Sequence, residues 1–162
     1  MIEINWNAAE KAYTLSATMM LPVDRETLFH FFSDAFQLEQ ITPPWLDFGV
    51  ITPAPIVIPA GTLIDYKLKL RGFPIRWRTE ISTWEPPYSF TDRQLKGPYY
   101  LWEHFHTFEE VEGGTLVSDQ VNYRSIGGAL VHSLFVKNDL LKIFAWRQQK
   151  MIERFANEGA TV

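Results

Sequence analysis

His104 and His106 are the residues of this 162-residue chain best placed to do chemistry. If they lie on a β-strand, residues two apart share a face. Two imidazoles then stand side by side and could hold a metal or trade protons near neutral pH. Asp119, on the segment that should pair with theirs, is the natural third group. It could complete a two-histidine, one-carboxylate metal site. It could equally orient an imidazole and favour its charged form. The catalytic candidates are therefore His104, His106 and Asp119, with Tyr66, Tyr100 and Tyr123 available to hydrogen-bond an enolate oxygen. No second motif supplies a third histidine to the pair, so no metal and no cofactor are expected. Zero cysteines exclude thiolate zinc, iron–sulfur clusters and cysteine nucleophiles. No G-x-S-x-G elbow and no Walker or Rossmann glycine pattern occurs.

The elements that must position these residues can be read from hydropathy. Tyr13 to Leu21 reads as the first strand. Asp24 is a good N-cap for a helix carrying Leu28, Phe29, Phe31 and Phe32. A second short helix follows from Ser33 to about Ile41, stopped by Thr42-Pro43-Pro44. Asp47 to Thr52 is a short strand. Thr52 to Pro59, with three prolines, is a stiff surface crossing. From Leu63 to Arg71, apolar and charged residues alternate strictly, as in a half-buried strand. A turn at Gly72-Phe73-Pro74-Ile75 would pair Leu70 with Trp77, Leu68 with Thr79 and Tyr66 with Ile81 on the apolar face. Lys67, Lys69, Arg71, Arg76 and Arg78 then form a basic stripe outside, and the Phe73-Pro74 tip stands exposed. Further strands run from Ser89 to Leu95, Tyr99 to Val111 and Thr115 to Arg124. Their short connections make an antiparallel meander.

Parity decides which side chains face inward. Tyr100, Trp102, His104, His106 and Phe108 share one face of their strand. Ser118, Gln120, Asn122 and Arg124 are wholly polar, so Val117, Asp119, Val121 and Tyr123 should point in. Two registers fit the Gly113-Gly114 turn: one faces His106 with Asp119, the other His104 with Tyr123. Phe90, Asp92 and Gln94 are assigned inward on the strand before. After Gly127-Gly128, apolar residues recur at helical spacing from Leu130 to about Asn157, giving a helix of roughly 30 residues, ~45 Å long. The architecture expected is α+β: an antiparallel sheet of about seven strands, two short helices after the first strand, and one long C-terminal helix on the apolar face. Residues 1–162 read as one domain of this kind.

Composition narrows the partners. The net charge of −4 argues against nucleic acid as a general partner. No apolar run approaches the ~20 residues of a membrane span. The start, Met1-Ile2-Glu3-Ile4-Asn5, has no signal-peptide character, and a cytoplasmic location is expected. Aromatic residues make up 15% of the chain, enough to line a pocket as well as fill a core. Leu130, Val131, Leu134 and Phe135 are denser than one cavity wall requires, which leaves room for a homodimer. Trp45-Leu46 reads as a core anchor or as part of a lid.

The order of elements resembles the START/Bet v 1-like (SRPBCC) superfamily, the helix-grip fold that includes polyketide cyclases. The resemblance covers about residues 13 to 157. It is carried by Ile75-Arg76-Trp77-Arg78-Thr79, Trp84-Glu85-Pro86-Pro87, Phe90-Thr91-Asp92-Arg93-Gln94, Gly97-Pro98-Tyr99 through Trp102-Glu103-His104, and Gly113-Gly114-Thr115 with Asp119 and Tyr123. It implies a sheet curled around the terminal helix with an apolar cavity between them, binding a lipid, isoprenoid, quinone or polyketide-like molecule. A minority of such proteins catalyse cyclisation or dehydration, and a His/Asp pair would serve that here. The residues expected at the ligand are Tyr66, Leu68, Trp77, Thr79, Gln94, Trp102, His104, His106, Asp119, Val121, Tyr123 and Phe144.

Overall fold

The structure, a computed structural model, describes residues 1–156. Eight strands form one antiparallel sheet: β1 (Ile2–Asn7), β2 (Ala12–Leu21), β3 (Gly49–Val50), β4 (Leu63–Leu70), β5 (Phe73–Glu85), β6 (Ser89–Lys96), β7 (Tyr99–Val111) and β8 (Gly114–Ser125). Their order across the sheet is β1-β2-β8-β7-β6-β5-β4-β3. Two short helices, α1 (Arg25–Ser33) and α2 (Ala35–Ile41), follow β2. The C-terminal helix runs without a break through α3 (Gly128–Val131), a wide π-turn (His132–Val136) and α4 (Lys137–Phe155). The expected helix end at Asn157 lies outside the described residues. No described helix is long and apolar enough to cross a membrane.

The local signals behave as the physics requires. Asp24 caps α1 by accepting a hydrogen bond from the Thr27 amide at 2.8 Å. Asp34 does the same for α2 through the Phe36 amide at 2.9 Å. The strand count, however, is one higher than expected. β1 was missed because it is a short edge strand followed by helix-favouring residues; only Ile2 and Ile4 pack inward, against the cluster containing Leu15 and Val121. The two helices therefore follow the second strand, not the first.

The β4–β5 hairpin also differs from expectation. Its turn is the two residues Arg71 and Gly72, with φ of 50° and 84°. Two successive positive φ values match the strand twist, so a two-residue turn wins over the four-residue one. Tyr66 consequently faces Trp77, and Leu68 faces Ile75. This offset moves each strand by an even number of residues, so every side chain keeps its expected face.

The basic stripe is largely neutralised. Lys69 pairs with Asp47 and Arg78 with Asp65. Arg71 makes a two-pronged ion pair with Asp139, both N–O distances 2.9 Å, tying the hairpin tip to α4. Phe73 at that tip is exposed.

Three buried clusters fill the space between sheet and helices. One joins α1 and α2 to Phe90, Phe108, Met151 and Phe155. A second joins Leu15, Trp102, Val121 and Tyr123 to Leu140, Ile143 and Phe144. The third holds Ala35, Ile64, Tyr66 and Ile81. All three contribute walls to one cavity.

Candidate ligand cavity and its histidine–aspartate cluster

The cavity lies between the concave sheet face and α4, and measures about 160 Å³. Strand alternation delivers its sheet wall: Tyr66 and Leu68 from β4, Trp77, Thr79 and Ile81 from β5, Phe90 and Asp92 from β6, Trp102, His104 and His106 from β7. Leu140, Ile143, Phe144, Arg147 and Met151 close it from the helix side, spaced three and four apart along one face. Leu46 lies in the wall, while Trp45 is exposed with its ring edge-on to Trp146. Of the Trp45-Leu46 pair, Leu46 is thus the anchor.

Nine of the expected positions are cavity-lining: Tyr66, Leu68, Trp77, Thr79, Trp102, His104, His106, Asp119 and Phe144. Three are not. Gln94 spends its amide bridging the β6–β7 turn, donating to the Tyr99 carbonyl at 2.7 Å and accepting from the Tyr99 amide at 3.2 Å. Val121 and Tyr123 face inward but lie sealed in core packing, each with no exposed surface. The Tyr123 hydroxyl is occupied by His132 Nε2 at 2.8 Å, and the His132 ring stacks on Tyr13 at 3.5 Å. Tyr100 is exposed as well. A bulge between Tyr99 and Leu101 reverses the parity at the start of β7 and puts Tyr99, not Tyr100, in the cavity wall.

The polar end of the cavity is a quartet of two histidines and two aspartates. Of the two registers open to the β7–β8 hairpin, the one realised faces His106 with Asp119. On the other side of β7, His104 faces Asp92 and His106 faces Phe90. The imidazole of His106 donates through Nε2 to Asp92 at 2.8 Å. Its Nδ1 lies 2.8 Å from Asp119 but too far out of line for a hydrogen bond, so that contact is ionic. His104 donates through Nε2 to Asp119 at 3.0 Å. Its Nδ1 stands 3.7 Å from Asp92, beyond hydrogen-bond reach. The Phe90 ring stacks on His106 at 4.2 Å.

The two imidazoles have opposite proton affinities. Burial disfavours charge on His106, but the Asp119 and Asp92 carboxylates overcome it and push its pKa up to about 9. Burial and the neighbouring His106 charge hold His104 below the ordinary histidine value, despite Asp119 and Asp92. Burial would raise both aspartates; the hydrogen bonds and charges of the histidines instead hold Asp92 and Asp119 below the usual carboxylate range. The self-consistent state is a charged His106 between two carboxylates, beside a neutral His104 whose Nδ1 keeps its lone pair. Asp92, His104 and His106 also bring possible metal-ligand atoms within 4.8 Å of one another. Of that trio, His106 already donates to Asp92, while His104 is held by Asp119.

Arg147 was not foreseen. It falls at the centre of the apolar stripe Leu140–Phe144–Met151, and that misplaced charge was the signal that could have revealed it. It makes no hydrogen bond or ion pair with a described residue, and its Nε is buried without a partner.

No protein-family model and no curated protein matches the chain. Solved structures do. Protein Ms6760 from Mycobacterium smegmatis is 15% identical, with a TM-score of 0.68 over 98% of this chain and 99% of that one. Ara h 8.0201 is 16% identical, with a TM-score of 0.62 over 88% and 99%. The major latex-like protein 151 of Panax ginseng is 12% identical, with a TM-score of 0.65 over 88% and 96%. At identities this low the likeness speaks for architecture alone, and that architecture is a Bet v 1-like helix-grip fold.

Proposed function

We propose that this protein binds a compact apolar molecule in the cavity beneath α4. The observation that carries the reading is the lining itself: aliphatic and aromatic walls from sheet and helix, with polar groups gathered at the quartet and at Arg147. Burial of apolar ligand surface, at about 25 cal/mol per Å², would supply most of the affinity. Size limits the guest. An apolar cavity of about 150 Å³ admits benzene, so a space of about 160 Å³ suits one ring, a short chain, or the inserted end of something longer. Whole isoprenoid quinones or long lipids fit this volume poorly.

Native mass spectrometry of protein purified from its own host tests the reading. The expected result is an added mass that organic extraction removes. A tight, ligand-free species that also fails to bind toluene in an NMR titration would sink it.

A second reading, acid–base catalysis of the cyclase or dehydratase kind, is favoured by one observation. Two adjacent imidazoles are driven apart in proton affinity, which supplies an acid and a base side by side. His104→Gln distinguishes the two: a carrier keeps its ligand affinity within several-fold, and an enzyme loses turnover.

A further inference from the structure

Arg147 occupies a position where the helix needs an apolar residue. Leu140, Ile143, Phe144 and Met151, its neighbours on that face of α4, are all buried. Arg147 itself is half-buried, and the part of its guanidinium shut off from water is costly unless it is paired. Two carboxylates share the single charge of His106, so the quartet keeps one net negative charge, which acts on Arg147 only from a distance. Asp92 and Asp119 are held by the histidines at 2.8–3.0 Å, and neither lies within ion-pair distance of Arg147. Two other basic residues at α4 are paired: Arg71 with Asp139, and Lys150 with Glu153. Arg147 is thus a half-buried cavity-wall cation that lies over the Phe144 ring at 5.5 Å, with no hydrogen bond or ion pair to a described residue and its Nε buried unsatisfied.

A second donor shares the wall. The Tyr66 side chain is buried there, and its hydroxyl makes no hydrogen bond with a described residue. Tyr66 and Arg147 are near enough for each to shift the other's proton affinity. Two unmatched donors on a largely apolar wall call for an acceptor-rich head group. An arginine fork offers two parallel N–H bonds, which match the two oxygens of a carboxylate. The apolar remainder of the cavity takes one ring or a short chain.

Building on the cavity reading above, we infer that the ligand is a small apolar carboxylic acid whose carboxylate is gripped by Arg147, with the Tyr66 hydroxyl as a further donor. The quartet then lies beside the head group, its two carboxylates held by the histidines.

Phenylacetate, its methyl ester and toluene are suitable probes, titrated into isotope-labelled protein and followed by NMR. Wild type is expected to bind the acid roughly tenfold or more tightly than the ester. Arg147→Met should bring that ratio near one. This variant puts an apolar side chain on an apolar stripe, so it should fold; Arg147→Gln provides an independent replacement. Equal affinity for acid and ester in wild type would overturn the inference and leave the cavity reading standing. So would an unchanged ratio in both variants. Failure of all three probes to bind wild type would remove the cavity reading along with it.

Discussion

The imidazole of His104 lies over that of His106, with ring centroids 3.8 Å apart and planes inclined by 36°. Two cationic rings at that distance would repel strongly, so the pair carries one charge rather than two. The carboxylates decide which ring bears it. His106 contacts both at 2.8 Å, whereas His104 has one hydrogen bond and one longer approach.

This division sets a pH dependence. His106 has a folded pKa of about 9 against an unfolded value near 6.5. A raised value stabilises the fold fully below the unfolded pKa and ceases to do so as pH rises through the folded one. Stability should therefore fall between pH 6.5 and about 9, by on the order of 2–3 kcal/mol. Urea unfolding across that range should show a clear slope for wild type and a flatter one for His106→Gln. Parallel slopes would show that His106 is not the charged ring.

Asp119 serves both histidines, so Asp119→Asn removes the charge that holds His106 protonated. Breaking a buried pair from one side costs about 3–5 kcal/mol. The variant should melt markedly lower than wild type, and NMR titration should place its His106 well below the wild-type value. An unshifted histidine titration would contradict the assigned geometry.

Gly114 opens β8 with φ of 153°, and a Cβ there would run into the backbone carbonyl of Leu21. Gly114→Ala must shift β2 or β8, at a cost of about 2 kcal/mol or more. The β7–β8 register that faces His106 with Asp119 grows from this turn. Chemical denaturation should show the loss, and the His106 titration should change with it. A neutral substitution would mean that the strands have room to part.

Tyr123→Phe leaves His132 without its hydrogen bond in the core. The expected loss is about 1–2 kcal/mol, read by thermal unfolding. Toluene binding should be unaltered, because Tyr123 lies behind the cavity wall and not in it. A change in toluene affinity would show that the tyrosine reaches the ligand after all.

The faces of β4 to β8 were legible because a period of two survives any even change of register. The hairpin between β4 and β5 moved by such a step, and Tyr66, Leu68, Trp77 and Thr79 still arrived at the cavity. An odd disturbance is invisible to the same logic. The bulge at Tyr99 and Tyr100 is one, since no residue type there announces an unpaired position. Gln94 has the right parity, but it hydrogen-bonds the turn beside it, a local competition that alternation does not record. Asp92 was readable as inward, but its partnership with His106 needed the β6–β7 register. Arg147 shows the opposite failing. Its position in the stripe was plain, and reading helices for apolar residues alone passed over it.

The strand order has a consequence for how the chain reaches this state. β4 through β8 each pair with a strand adjacent in sequence, while β2 must find β8 about a hundred residues downstream, Tyr13 beside Tyr123 and Leu21 beside Thr115. Closing so long a loop is entropically expensive, and such contacts form late. Assembly should begin as a local meander that already juxtaposes β6, β7 and β8. In pulse-labelled hydrogen exchange, amides of β7 should gain protection before those of β2, so the histidine quartet would exist before the wall behind it is complete.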